Sequence, residues 1–368
     1  MVTSVGQDGQ SDGSQRAVTL LDLARAAGVS RTTASNAFNR PDQLSPKLRA
    51  RVLEIADKMG YAGPNPMARM LRTGRAGSIG VVFGKSLTYG FTDPTSIAFL
   101  KGVASVCEKE GASLLILPET GEAQVGNAIQ GAAVDGFIVY CMHYLTAVND
   151  AVAARQLPSV AVSAPETMPM STIDIDDRSA AREAAAHLIG LGHRRFGVLA
   201  LDVLGDGYDG PLRIDQMAKL ECTPSVDRYR GYRDALAAAG LQDADLQAFE
   251  VSGNSEDHAR RAAVKLLSQK PRPTAILAMS DRLAVGALLA ATDLGLDVPD
   301  DLSVVGFDDI PLAKAVTPAL TTIHQPLEEK GAAAARLVFH PPKGRPRHLI
   351  LPTELVVRDS TGLAPDAP

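Results

Sequence analysis

The chain has 368 residues, 45% of them apolar, and a formal net charge of −5, which is enough for two or three domains with real cores. The first twenty residues hold no apolar run of the kind a secretory leader needs, and no later run approaches the ~18 apolar residues of a membrane span, so a cytoplasmic protein without a membrane partner is expected. Three cysteines, Cys107, Cys141 and Cys222, stand far apart without CxxC spacing, which suggests neither a disulfide framework nor a zinc site.

The mean charge hides an asymmetry. Residues 16–75 carry eleven Arg and Lys against four Asp and Glu, a local charge of +7, so the remainder carries −12. A small basic head on an acidic body is an electrostatic footprint for phosphate.

Residues 1–16 are expected to be a disordered tail. After it, Thr19 is placed to cap a helix whose apolar positions Leu20, Leu23, Ala24 and Ala27 share one face, and Gly28 to end it. A three-residue turn leads to Ser30, the cap of a second helix with Ala34, Ala37 and Phe38 inward. This second stretch, "GVSRTTASNAFN", is rich in weak helix formers. Its other face is Arg31, Thr32, Ser35 and Asn36, short or hydrogen-bonding side chains that suit base edges in a major groove. A third helix opens with Ser45 and Pro46, buries Leu48, Val52, Ile55, Ala56 and Met59, and stops at Gly60. Two helices joined by a tight glycine turn and closed by a third predict a helix-turn-helix unit over 17–62.

Residues 64–74, "PNPMARMLRTG", form a short helix pattern with Asn65 as cap, Pro66 at its first position, Met67, Ala68 and Leu71 on one side, and Arg69 and Arg72 among them. Alone it is too short to be stable. Paired over DNA, Leu71 is able to wedge between base steps of the minor groove while the arginines meet phosphates.

Beyond it, "SIGVVF" (78–83), "SLLIL" (113–117), "DGFIVY" (135–140), "SVAVS" (159–163), "FGVLAL" (196–201), "TAILAM" (274–279) and "LSVVGF" (302–307) alternate with helical segments. That alternation predicts parallel sheets covered by helices. Ligands in such sheets sit beyond the carboxyl ends of the strands, which selects Tyr140, Ser163, Asp202, Ser280 with Asp281, and Asp308 with Asp309. These groups suit sugar hydroxyls, and Phe91 is available to stack on a sugar face.

Other motifs carry less. "GDGYDG" (205–210) matches GxGxxG, but Asp206 and Asp209 would repel a pyrophosphate, so an acidic loop near the cleft is expected. His187 and His193 meet no metal-ligand spacing. Asp308 and Asp309, adjacent at a strand end, point different ways and cannot converge as an acid–base pair. No nucleophile elbow or P-loop is found. Neither catalytic residues, a metal nor a cofactor is therefore expected.

From Val18 to Ser360 the chain resembles the lac repressor (galactose repressor) family of bacterial transcription regulators. The resemblance rests on "TLLDLARAAGVSRTTASNAFN", "PNPMARMLRTGRAGSIGVV", "VDGFIVY", "HLIGLGHRRFGVL", "RYRGYRDALAAAGL", "PTAILAMSDRLAVGALLAATDLGLDVPDDLSVVGFDDI" and "PALTTIHQP", in family order. It implies an all-α helix-turn-helix head, a hinge helix, and an α/β core of two parallel-sheet subdomains like a periplasmic sugar-binding protein, clamping a small-molecule effector. It further implies a repressor that binds a palindromic double-stranded operator as a homodimer or tetramer.

Carried onto matching positions, Arg31, Thr32 and Ser35 stand where bases are read, and Ser30 and Asn39 where the DNA backbone is met. Asn36, Ala68 and Arg69 complete the expected DNA-facing set, with Leu71 as the wedge. Arg228 in "RYRGY" matches the arginine that holds effector hydroxyls, and Asp308 in "GFDD" its carboxylate partner; Tyr140, Ser163 and Ser280 fall at other lining positions, joined by Phe91 and Asp93, whereas Asp281 is expected to brace the pocket. The implied boundaries are a hinge at 63–76, a first subdomain of about 77–172 plus 326–343, a second of about 173–325 plus 344–360, and a disordered tail at 361–368.

Departures from the family pattern are Ser280 where an Asn is frequent, an extra Gly63, a loop of about 25 residues before "RYRGY", and "SLTYGFTDP" (86–94). Two other readings compete: a transport sugar-binding protein without a DNA role, and a sugar-metabolising enzyme. The basic head disfavours the first and the lack of a catalytic constellation the second.

Overall fold

A computed structural model describes residues 18–63, 70, 74–84, 86–118, 122–140, 145–164, 168–204, 206–217 and 224–365. The expected tail 1–16 and the hinge residues Ala68, Arg69 and Leu71 lie outside the described residues. The chain divides into two compact units, Met1–Ala76 and Gly77–Pro368.

In the first unit, α1 (Leu20–Ala27), α2 (Arg31–Asn39) and α3 (Pro46–Lys58) follow the expected order. Thr19 and Asp22 form a reciprocal capping box on α1, and Gly28 ends it at φ 65°, a left-handed conformation that a side chain would strain. The Ser30 hydroxyl accepts from the Thr33 N–H at 3.0 Å, and the Ser45 hydroxyl from the Leu48 N–H at 3.3 Å. Leu23, Ala24, Ala27, Ala34, Ala37, Val52, Ala56 and Tyr61 make the core. Phe38 is only half-buried and meets Tyr61 edge to face, ring centroids 5.7 Å apart.

The second unit opens with β1 (Ser78–Phe83), α4 (Leu87–Gly90), α5 (Pro94–Glu110), β2 (Ser113–Pro118), α6 (Glu122–Gly131), β3 (Phe137–Tyr140), α7 (Leu145–Ala154), β4 (Ser159–Val162) and β5 (Ser171–Ile175). It continues with α8 (Asp177–Gly190), β6 (Phe196–Leu201), β7 (Gly210–Pro211), α9 (Ile214–Met217), α10 (Pro224–Ala238), β8 (Leu246–Val251), α11 (Glu256–Leu267) and β9 (Ala275–Ala278). Then come α12 (Asp281–Asp293), β10 (Ser303–Asp308), α13 (Pro311–Ala315), β11 (Thr321–His324), α14 (Leu327–Phe339), β12 (His348–Leu351) and β13 (Glu354–Val356).

The strands form two sheets. The first runs β12-β5-β4-β3-β1-β2, all parallel; the second runs β13-β11-β10-β9-β6-β8-β7, parallel except for its two edge strands. Successive side chains alternate between faces: Ile79, Val81 and Phe83 pack toward α5 and α14, and Val82 toward α6 and α7. In β6, Phe196 and Val198 face α8 and α10, and Leu199 faces α11 and α12. The helix pairs approach closely at glycine. A Cβ on Gly231 of α10 would collide with the Arg178 carbonyl of α8, and one on Gly102 of α5 with the Glu328 carbonyl of α14.

The expected subdomain boundaries need correction. The first sheet extends through β5 to Ile175, and it takes His348–Leu351 as its edge strand, a segment the sequence assigned to the second subdomain. The chain therefore crosses between the sheets three times: after Ile175, before Leu327 and after Leu351. The expected disordered tail also fails over 361–365: the Ala364 N–H donates to the Leu191 carbonyl, Gly362 N–H to Ser303, and Thr361 bonds His187. These are polar bonds of backbone and side chain, which leave no hydrophobic pattern to read. His193, fully buried, bonds Thr274 and Ser303 at 2.9 Å each and acts as a structural brace.

Candidate functional site

In the head, Arg31, Thr32, Ser30 and Asn39 of the predicted DNA-facing set are exposed, with Ser35 and Asn36 half-buried. Local bonds set their rotamers: the Asn39 amide donates to the Ser35 carbonyl at 3.2 Å, and the Asn36 amide to Gln43 at 3.1 Å. Arg49 of α3 donates from Nε to the Ala37 carbonyl, tying α3 to the end of α2. Weak helix formers thus stay helical because Ala34 and Ala37 are packed beneath them.

In the second unit, residues that follow strand ends in both sheets meet. Arg228, on the second turn of α10, is buried. Its Nε donates to Asp177 at 2.7 Å, its Nη1 to the Met279 carbonyl, and its guanidinium lies 3.6 Å from the Phe307 ring centroid. Asp308 is 3.9 Å from Nη1, and its carboxylate accepts from the Gln325 amide at 2.5 Å. Gln325 in turn accepts from the buried Lys330 ammonium at 2.8 Å. Two buried charges of opposite sign survive together because each has several partners.

Burial pulls the Arg228 guanidinium toward its neutral form, but Asp177 and Asp308 outweigh this and hold it firmly charged. For Asp308 the balance differs: burial raises its carboxyl, Asp93 adds to the rise, and Arg228, Gln325 and Lys330 only partly oppose it, leaving it at about 7. Asp281 is pushed well above the carboxylate range by burial and by Asp308. Its oxygens accept from the Ile310 N–H at 2.8 Å and from Thr322, so it braces the neighbouring loop as expected.

The backbone is strained at predicted pocket residues. Asp308 has φ 115° and Asp309 φ 54°, conformations that L-residues adopt at a cost and that cluster at functional sites. The two carboxylates diverge, since Asp309 pairs instead with Arg358 and His324. Ser163, at the end of β4, is likewise left-handed at φ 56°.

Not every predicted residue joins this group. Asp93 is buried and caps α5, accepting from the Ser96 N–H at 2.9 Å. Ser280 caps α12 and donates to the Asn254 side-chain carbonyl at 2.6 Å. Tyr140, however, is drawn into the core of the first sheet, where its ring stacks on Phe99 with centroids 4.0 Å apart and tilts on Phe83. Its position on the α5 face of β3 explains this, because the ring has an apolar neighbour there. Phe91 ends α4 and is 62% exposed. Ser163 is half-buried and donates its N–H to the Ile173 carbonyl.

Sequence reasoning missed Asp177, Asn254, Gln325 and Lys330. Asn254 lies in the loop after β8, a strand whose apolar run is broken by Gln247 and Glu250. The "GDGYDG" loop is pinned rather than free: Arg213 stacks on Tyr208 and bonds both Asp206 and the buried Glu250. Asp202, Asp206 and Glu250 oxygens lie within 4.8 Å of one another around that arginine.

Comparison with known proteins gives the same division. Residues 19–65 match the model of bacterial regulatory proteins of the lacI family, and 185–361 that of a periplasmic binding protein-like domain. An HTH-type transcriptional regulator of Mycobacterium tuberculosis is 39% identical over 93% of this chain and 96% of its own length. The lac repressor dimer bound to operator and an anti-inducer superposes at TM-score 0.76 with 25% identity, over 94% of this chain and 100% of that one. A complex of the transcriptional regulator CelR with cellobiose superposes at 0.67 with 28% identity, over 93% and 99%. A head matched by a DNA-binding family sets aside the reading as a transport protein without a DNA role.

Proposed function

Because the chain belongs to the lac repressor family of bacterial transcription regulators, we propose that it is a repressor that binds a palindromic operator as a homodimer, or as a tetramer of two such dimers. On this reading α2 enters the major groove, Arg31, Thr32 and Ser35 read bases, and Ser30, Asn36 and Asn39 support them. Ala68, Arg69 and Leu71 serve the hinge. The protein works in the cytoplasm, on the nucleoid when bound to DNA, as a ligand-controlled switch without catalysis or cofactor.

The effector is a neutral sugar or sugar derivative held between the two sheets. The observation that carries this is the buried Asp177–Arg228–Asp308 constellation. Carboxylates and a guanidinium fixed side by side accept from and donate to a ring of hydroxyls. The complex of CelR with cellobiose, a relative holding a sugar, supports the same class. Ser280, Asp93, Ser163 and Phe91 are the remaining lining groups of the reading.

A thermal-shift screen of pentoses, hexoses, disaccharides and polyols tests it. A true effector at about 100 times its Kd adds about 2.7 kcal/mol of stability, and that gain is expected to vanish in Arg228→Ala while operator binding remains. A shift of equal size in Arg228→Ala would remove this cleft as the site.

A further inference from the structure

Asn254 has no assigned role, yet its side chain spans the cleft. Its carbonyl accepts from Ser280, the cap of α12 in the second sheet's half, at 2.6 Å. Its amide nitrogen points the other way, to the Tyr89 hydroxyl at 3.3 Å and the Asp93 carboxylate at 3.4 Å in the first sheet's half. Asp93 is buried, so its second oxygen, Oδ1, has little water to turn to; Oδ2 is already taken by Ser96 and Thr95. Arg282, paired with Glu256, adds its charge to the same spot by acting on Asp93 and Tyr89.

We propose that Asn254 is the positioning residue that holds the two halves of the cleft together. The inference rests on reading the cleft as the effector site. The short bond to Ser280 fixes the amide on the second half. The two long bonds to Tyr89 and Asp93 are weak, and a ligand hydroxyl inserted between them and the amide replaces them without loss. Ligand capture and closure then use the same donor.

The direction of the bond makes the idea testable without knowing the effector. Asn254 donates and Asp93 accepts; exchanging the two side chains keeps the bond and reverses it. Asn is as good a helix cap as Asp, so α5 keeps its start. In the ligand-free full-length chain, amide hydrogen exchange over residues 86–97 is followed for the parent protein, Asn254→Ala, Asn254→Asp, and the double variant Asp93→Asn with Asn254→Asp. Loss of the bond in Asn254→Ala is expected to speed exchange there by roughly fivefold. Asn254→Asp, which sets a second carboxylate against that of Asp93, speeds it further. The exchanged pair returns it to within about twofold of the parent.

Unchanged exchange in Asn254→Asp, or an exchanged pair no better than Asn254→Asp alone, overturns the proposal. Because no ligand is added, failure to find a sugar effector would count against the functional reading and leave this result standing.

Discussion

Asp308 and Arg228 are both buried and stand 3.9 Å apart, with Asp308 at the end of β10 on a strained backbone. At φ 115°, Asp308 occupies a conformation few L-residues tolerate, and its carboxyl sits at about 7 because burial outweighs Arg228. The sign follows directly. A carboxyl raised in the folded state stabilises the fold when protonated, below its unfolded value near 4, and that contribution is lost as pH rises through about 7. Asp308→Asn, which cannot ionise, is therefore expected to remove this part of the fall in stability between pH 4 and 8, with its melting temperature gaining on the parent by a few degrees at pH 8. Melting curves at graded pH check this; parallel curves for the two proteins would mean that Asp308 titrates as an ordinary carboxylate. Arg228 and Asp308 were legible in the sequence because they stand in short, specific motifs. Asn254 and Gln325 were not, since each bonds a residue well removed in the chain, and Lys330 enters only through Gln325; nothing in "SGNSED" alone says that Tyr89 will stand opposite.

At the scale of elements, the three helices of the head were read nearly to their ends, because caps such as Ser30 and Ser45 and stops such as Gly28 are local chemistry. Six of the seven strands read from apolar runs lie inside a sheet; the seventh, β2, is an edge strand with Ser113 and Leu115 exposed that still reads from its run of Leu and Ile. Among those missed, β12 is a four-residue edge strand with every second residue exposed, too short to stand out as an apolar run and held by pairing to β5. Helix pairing makes a sharper prediction. Gly231 of α10 lies against the backbone of α8, whereas Gly190 at the end of α8 has open space around it. Gly231→Ala is expected to lower the melting temperature of the core and to loosen Arg228 one turn earlier, while Gly190→Ala leaves it unchanged or raises it slightly. Equal effects of the two would contradict the close approach. In the head, Leu23 is fully buried; Leu23→Ala should cost about 2–5 kcal/mol there and abolish operator binding. Calorimetry should show the core transition in place, since the head is a separate compact unit, and a shift of both transitions together would speak against that division.

For the whole molecule, the charge asymmetry links sequence to function most simply. A head of +7 on a body of −12 directs the helix-turn-helix toward phosphate and keeps the body off it. The body is left to bind a small molecule. The most direct test of the central claim is selection of duplexes from a random pool by the full-length chain, followed by titration of the enriched duplex at graded salt. The account predicts a single palindromic motif, affinity falling steeply and linearly on logarithmic axes with salt, and loss of preference for that motif in Arg31→Ala. Enrichment of no motif, or binding indifferent to both salt and Arg31, would contradict it.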